Sequence, residues 1–196
     1  MKTKNISKVS LCVLIAGLLA GFSISAYAAE TYQLDPAHTS VMFRVKHLGV
    51  AYVYGRFNGP RGFFTFDESS PSQSAIEVQV NVKDVDTAVE KRDHHLKSPD
   101  FFDAEEYPIV TFKSTAIKKL SQEAYEVSGN ITLLGKTRPI TVKAVDTGSG
   151  KDPWGNFRRG FETSFSINRS DFGMNFMLDG VSDEVVITVS VEGIRQ

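Results

Sequence analysis

At 196 residues the chain is long enough for one domain with a sizeable core, and nothing in it suggests two. A formal net charge of −1 without any basic run argues against nucleic acid as a partner. One cysteine, Cys12, allows no internal disulfide.

Lys2, Lys4 and Lys8 precede an apolar run from Leu11 to Phe22, and Ala26-Tyr27-Ala28 follows as a small-x-small cleavage signal. This predicts a secretory signal peptide over residues 1–28, since a membrane anchor needs roughly twenty apolar residues. The mature domain is then 29–196 and cysteine-free, which removes thiolate metal sites and cysteine nucleophiles. Without Lys2, Lys4 and Lys8 it carries 19 basic and 23 acidic residues, a charge of −4.

Thr31–Leu34 reads as a short lead-in strand, and Asp35-Pro36 as the turn before a long strand over Thr39–His47. Val41, Phe43 and Val45 alternate there with Ser40, Met42, Arg44 and Lys46, the pattern of a sheet with one apolar face. Ala51–Phe57 and Gly62–Asp67 follow, separated by Asn58-Gly59-Pro60-Arg61, and read equally as a hairpin or as one bent strand. Ile76, Val78, Val80 and Val82 alternate with Glu77, Gln79, Asn81 and Lys83. Next comes a helix, with Thr87 and Glu90 as a capping-box pair and Ser98-Pro99 as its stop. Val89, Leu96, Phe101 and Phe102 are placed to close over an end or flank of the sheet.

Strands are predicted over Ile109–Thr115, Tyr125–Leu133 and Arg138–Val145, the last two joined by a tight turn at Leu134-Gly135-Lys136. Thr147–Arg158, which holds Trp154, reads as a long loop, and Ser170–Ser182 as another. Arg159–Ile167 and Asp183–Val191 are the final strands. These roughly nine segments predict an all-β fold, an eight-stranded antiparallel barrel with one short helical insertion. By parity Val41, Phe43, Val45, Phe57, Phe64, Val78, Val80, Phe112, Val127, Ile131, Val142, Phe161, Phe165, Ile187 and Val189 face its interior. Gly55, Gly62 and Gly129 on the same parity either leave room for a cavity or mark bends, so a hollow and a solid barrel both remain open.

No catalytic or metal-binding set stands out. His38 and His47 fall on opposite faces of an unbroken strand, and His94 and His95 are helix neighbours that diverge. No G-x-S-x-G, H-E-x-x-H or phosphate loop occurs. The acid pairs Glu105-Glu106 and Asp183-Glu184 read as solvated.

Four segments carry a family resemblance: HTSVMFRVKHLG (38–49), RDHHLKSPDFFDAEEYPIVTFKST (92–115), GNITLLGKTRPITV (129–142) and DPWGNFRRGFE (152–162). In order and spacing the chain resembles the YceI-like family of periplasmic polyisoprenoid-binding proteins. His38, Thr39, Val41 and Phe43 match its HT-x-V-x-F motif, and Tyr107, Pro108, Thr111 and Phe112 match YP-x-x-TF. The resemblance implies a lipocalin-like barrel holding a polyisoprenoid or quinone-like lipid as ligand, with no other cofactor and no catalytic residues. It further implies a periplasmic location, frequent homodimers and, for lipid exchange, transient membrane contact. Two other readings stay open: an enzyme acting on such a lipid through His38 or His47, and a solid-barrel stress or structural protein.

Overall fold

Three breaks early in the domain decide how its sheet closes. The computed structural model describes residues 29–196; the predicted signal peptide lies outside the described residues. Strand β1 (Glu30–Leu34) stops at the Asp35-Pro36 turn, and β2 (Ser40–His47) resumes along the same partner, β11 (Val181–Arg195). A tight turn then reverses the chain into β3 (Ala51–Phe57), with Leu48 and Gly49 both at positive φ (50° and 69°).

After β3 the chain bends at Asn58-Gly59-Pro60 and continues as β4 (Arg61–Phe66). β3 pairs with β2, and β4 pairs with β1, so the two form one bent strand and not a hairpin. Pro60 lacks the N–H that a ladder requires, which fixes the bend at this point. β5 (Ala75–Asn81) and β6 (Val85–Asp86) make a third broken strand, interrupted by a 3₁₀ turn at Val82–Asp84.

The remaining strands are unbroken: β7 (Ile109–Lys119), β8 (Ala124–Leu133), β9 (Lys136–Lys151) and β10 (Phe157–Asn168). Each pairs antiparallel with the next, and β11 pairs with β10 on one side and with β1 and β2 on the other. Eleven segments thus form a closed, eight-stranded, up-and-down antiparallel barrel. The β8–β9 turn has two residues, Leu134 and Gly135, both left-handed (φ 50° and 67°), as this hairpin type requires.

Of the two predicted loops, the first is corrected and the second stands. Thr147–Arg158 is mostly strand, because β9 runs to Lys151 and β10 begins at Phe157, leaving only Asp152–Asn156 as a turn. Ladder pairing at Gly150↔Arg158 and Gly148↔Gly160 extends both strands through a segment whose composition reads as loop. Ser170–Ser182 contains the end of a 3₁₀ turn (Arg169–Phe172) and a bend at Met177–Gly180 before β11 begins at Val181.

Helix α1 (Glu90–Leu96) also begins later than the capping box predicted. Val85 and Asp86 still pair with β3, and Ala88 turns left-handed (φ 62°), so the N-cap is Val89 and not Thr87. The Thr87 backbone N–H and hydroxyl donate to the Asp93 carboxylate.

The glycines on the inner parity do not hollow the barrel. A Cβ at Gly55 would meet the Phe43 ring at 2.3 Å and one at Gly129 the Phe112 ring at 2.5 Å, so each glycine seats a neighbour's phenylalanine. At Gly62, φ is +141° and a Cβ would lie 2.0 Å from the Glu77 carbonyl oxygen, a close approach of two backbones just beyond the bend.

Candidate functional site

The barrel interior has two zones. At one end aromatic rings fill it: Tyr32 stacks on Phe64 (centroids 4.7 Å, 11°), and Phe161 sets its edge or tilted face against Phe64, Phe66 and Tyr125 at 5.3–6.0 Å. Arg159 lies 3.9 Å from the Phe66 ring and donates to Asp146 at 2.6 Å. Above this plug lies an apolar cavity of about 430 Å³.

Fourteen of the fifteen side chains that parity placed inside line that cavity: Val41, Phe43, Val45, Phe57, Val78, Val80, Phe112, Val127, Ile131, Val142, Phe161, Phe165, Ile187 and Val189. The exception is Phe64, which is corrected: it is 3% exposed and belongs to the aromatic plug. Parity assigns a face of the sheet but not a height along the barrel, so Phe64 has the predicted direction and the wrong level.

Part of the mouth was expected: Leu96, Phe101 and Phe102 close over the cavity as placed, whereas Val89 is 45% exposed and does not. After Asp86 the chain leaves the sheet, so Ala51–Gly55 of β3 have a strand partner on one side only. α1 follows, and Leu96 and Phe102 pack against Phe57, Val80 and Val85. Thr87, Arg92, His95, Phe101, Met174, Met177 and Arg169 complete the mouth and upper wall. His95 sets its ring against Phe101 (5.0 Å) and Phe176 (5.5 Å), joining α1 to the turn before β11. Its Nε2 lies 2.8 Å from Asp100 Oδ2.

Arg169 is 2% exposed and closes the upper wall. Its Nε, Nη1 and Nη2 donate to the carbonyls of Ser182, Met174 and Val181 at 3.0, 2.9 and 2.8 Å. Burial pulls its pKa down, and the nearby Asp183 carboxylate opposes that shift. Asp183 is not simply solvated as expected: it accepts from the Ser170 hydroxyl and N–H (2.7 and 2.8 Å), which hold its carboxyl below the usual range. A signal for Arg169 was present, since Phe161, Thr163, Phe165, Ile167 and Arg169 share one parity.

At the closed end His38, the first residue of the HT-x-V-x-F motif, places Nδ1 2.8 Å from Asp35 Oδ2 and 4.0 Å from Glu192 Oε1. The three ligand atoms lie within 4.8 Å of one another, a spacing that a metal ion could use. Arg158 supplies positive charge here instead, donating from Nη1 to Asp35 (2.7 Å) and Glu192 (2.5 Å) and from Nε to Asp152 (2.8 Å). Asp152 also accepts from the Trp154 and Asn156 N–H groups, which fixes a turn on which Trp154 stands 79% exposed.

The hydrogen bonds from Arg158 and then from His38 pull the Asp35 pKa down to about 2. Its unfolded value is about 3.9, so the ionised form contributes stability above roughly pH 4 that is lost as pH falls toward 2. Asp152 acts in the same direction, because bonds from Arg158 and Asn156 outweigh the opposing effect of burial. The urea midpoint is therefore expected to drop between about pH 4 and 2, and to drop less in Asp35→Asn. An equal acid loss in both proteins would remove Asp35 from this account.

Known proteins share the whole architecture. The YceI-like domain profile matches residues 32–193. A UPF0312 protein of Pseudomonas aeruginosa is 44% identical over 191 residues, covering 96% of this chain and 99% of its own. One from Yersinia enterocolitica is 43% identical, covering 95% and 97%. Among solved structures, Burkholderia cenocepacia BcnA superposes with a TM-score of 0.74 at 25% identity, covering 81% of this chain and 98% of its own. A polyisoprenoid-binding domain from Saccharophagus degradans gives 0.68 at 13% identity, covering 84% and 98%, a likeness of fold alone. With its closed eight-stranded barrel and a profile match over nearly the whole described domain, the chain belongs to the YceI-like family.

Proposed function

We propose that the protein binds a polyisoprenoid, quinone-like or otherwise headed, in the barrel cavity and carries or stores it in the periplasm. The observation that carries this reading is the cavity itself: about 430 Å³, walled by aliphatic and phenyl side chains and floored by packed aromatics. Such a space selects a long apolar chain over a polar metabolite, because a polar group placed there would lose its water without gaining partners. The shared fold with a polyisoprenoid-binding domain supports the same ligand class.

Burial energetics suit a carrier. At roughly 0.8 kcal/mol per CH₂, each five-carbon isoprene unit that enters the cavity gains about 4 kcal/mol on leaving water. A bilayer offers the same gain, so exchange between membrane and barrel is nearly balanced. The mouth suits such an exchange: Leu48, Val50, Met177 and Leu178 are exposed, and the Leu48 N–H donates to the Gly180 carbonyl, tying the two tips together. A homodimer contact would form on the unpaired edge of β3 at Ala51–Tyr54.

Native mass spectrometry of protein purified from the periplasm tests the reading. The expected species begins at Ala29 and carries a lipid adduct. Ile187→Trp, which adds bulk on the cavity wall, is expected to fold and to lose that adduct. A wild type without lipid, or a tryptophan variant that keeps it, would overturn the cavity as binding site.

A further inference from the structure

The ladder that closes the barrel does not run the full height of every seam. β9 and β10 are paired from Lys151↔Phe157 up to Ala144↔Thr163, and above that point no register pair joins them among the described residues. Both strands nevertheless continue: β9 stays paired with β8 as far as Lys136↔Leu133, and β10 with β11 as far as Asn168↔Glu184. Above Arg56, β3 likewise pairs with β2 alone. The upper barrel is therefore two four-stranded leaves, β5-β7-β8-β9 and β10-β11-β2-β3, with the cavity between them.

The two seams are closed differently. α1 covers the one beside β3, where Leu96 and Phe102 pack against Phe57, Val80 and Val85. Side chains close the one between β9 and β10. Ile140 and Ile167 line the cavity on its inner side and a cleft of about 280 Å³ on its outer side, so they form the partition between the two spaces. Phe172, 2% exposed at the end of the 3₁₀ turn after β10, lines the same cleft, and both isoleucines pack against its cluster.

The sequence explains why the ladder stops. The Lys143 carbonyl accepts from the Thr163 hydroxyl at 2.9 Å, so Lys143 turns its backbone toward β10. Pro139 lies four residues away on the same strand and by alternation turns the same way, with no N–H to offer there. Parting this seam breaks no ladder bond. What resists it is apolar contact at Ile140, Ile167 and Phe172.

We propose that the seam between β9 and β10 is a lateral portal, through which an isoprenoid chain passes sideways between a bilayer and the cavity. This rests on the isoprenoid reading above and adds the route. A chain that enters end-on must thread its whole length past the mouth. A slot along Ser164–Asn168, about 15 Å at the rise of a strand, admits it along its flank instead. Ile140 and Ile167 are the gate, and Phe172 is the wedge that keeps it shut.

The test follows all-trans-retinol, a fluorescent isoprenoid alcohol, from phosphatidylcholine vesicles into lipid-extracted protein by stopped flow. Ile140→Ala and Ile167→Ala are each expected to raise the association rate about tenfold, because less apolar contact must part before the seam opens. Val189→Ala is the comparison: that residue lines the cavity on β11, paired with Thr163 on one side and Val41 on the other, so its loss alters release and not entry. Amide exchange on the wild type needs no variant to fold. By the same alternation Ser164 and Ser166 turn their N–H groups to the seam and are expected to exchange fast, beside protected Phe165 and Ile167, which face β11. Association unchanged in both isoleucine variants, or raised as much in Val189→Ala, would overturn the portal. Equal protection of all four amides would overturn it too, since the seam would then be zipped. Retinol that never enters the wild type would overturn the chain-binding reading on which the portal rests.

Discussion

Replacing Phe64 by alanine is expected to destabilise the protein by about 3–5 kcal/mol and to leave its bound lipid unchanged. The ring is 3% exposed, stacked on Tyr32 and met edge-on by Phe161 at 5.5 Å. Gly193 leaves room for it: a Cβ there would stand 2.5 Å from the ring. Atoms removed from so close a packing leave a void that neighbouring strands, paired on both sides, cannot collapse to fill. Phe112→Ala is the contrast. Phe112 is half-buried and lines the cavity, so its loss enlarges a space that already exists, costs less and alters the amount or length of the bound chain. Urea melts together with lipid extraction decide the matter. If Phe64→Ala changed the lipid, or if Phe112→Ala cost as much without changing it, the division of the interior into plug and cavity would be wrong.

That contrast shows what a sequence can carry. Alternation in β2 put Val41, Phe43 and Val45 inside, and they stand directly across from Val189, Ile187 and Val185 of β11. The period of two is a local property of the chain, so it was legible. Height along the barrel depends on strand tilt and register, and Phe64 was misplaced for that reason. Lys136–Lys151 and Phe157–Asn168 were underestimated because Gly148, Ser149 and Gly150 have no apolar alternation to display, while the ladder with β10 holds them extended regardless. Thr87 and Glu90 had the spacing of a capping box, but the pairing of Val85 and Asp86 with β3 kept the chain in the sheet for longer than that pattern allows. The mouth was least legible. Arg92, His95 and Met177 meet only because a helix and a distant turn converge on one end of the barrel, a consequence of closure and not of any local pattern.

Arg169→Met is expected to cost about 3 kcal/mol or more, and to loosen the turn between β10 and β11 before it affects the rest of the barrel. The methionine keeps most of the apolar stem but leaves the carbonyls of Ser182, Met174 and Val181 without their donors. A buried acceptor stripped of its partner costs about 1–3 kcal/mol, and water reaching the mouth relieves part of that sum. Release of a buried cation works in the opposite direction, since burial already disfavours the charge on Arg169. The carbonyl losses outweigh it because three acceptors share one guanidinium and Asp183 still offsets some of the charge. Arg169→Lys is not a rescue: an ammonium on a flexible stem lacks the planar fork that reaches three carbonyls at once. Amide exchange should therefore accelerate across residues 170–182 in both variants, with the ladder between Phe161 and Val191 still protected. A methionine variant within about 0.5 kcal/mol of the wild type, or one whose exchange rises evenly over the whole barrel, would mean that Arg169 is not what holds this side of the mouth.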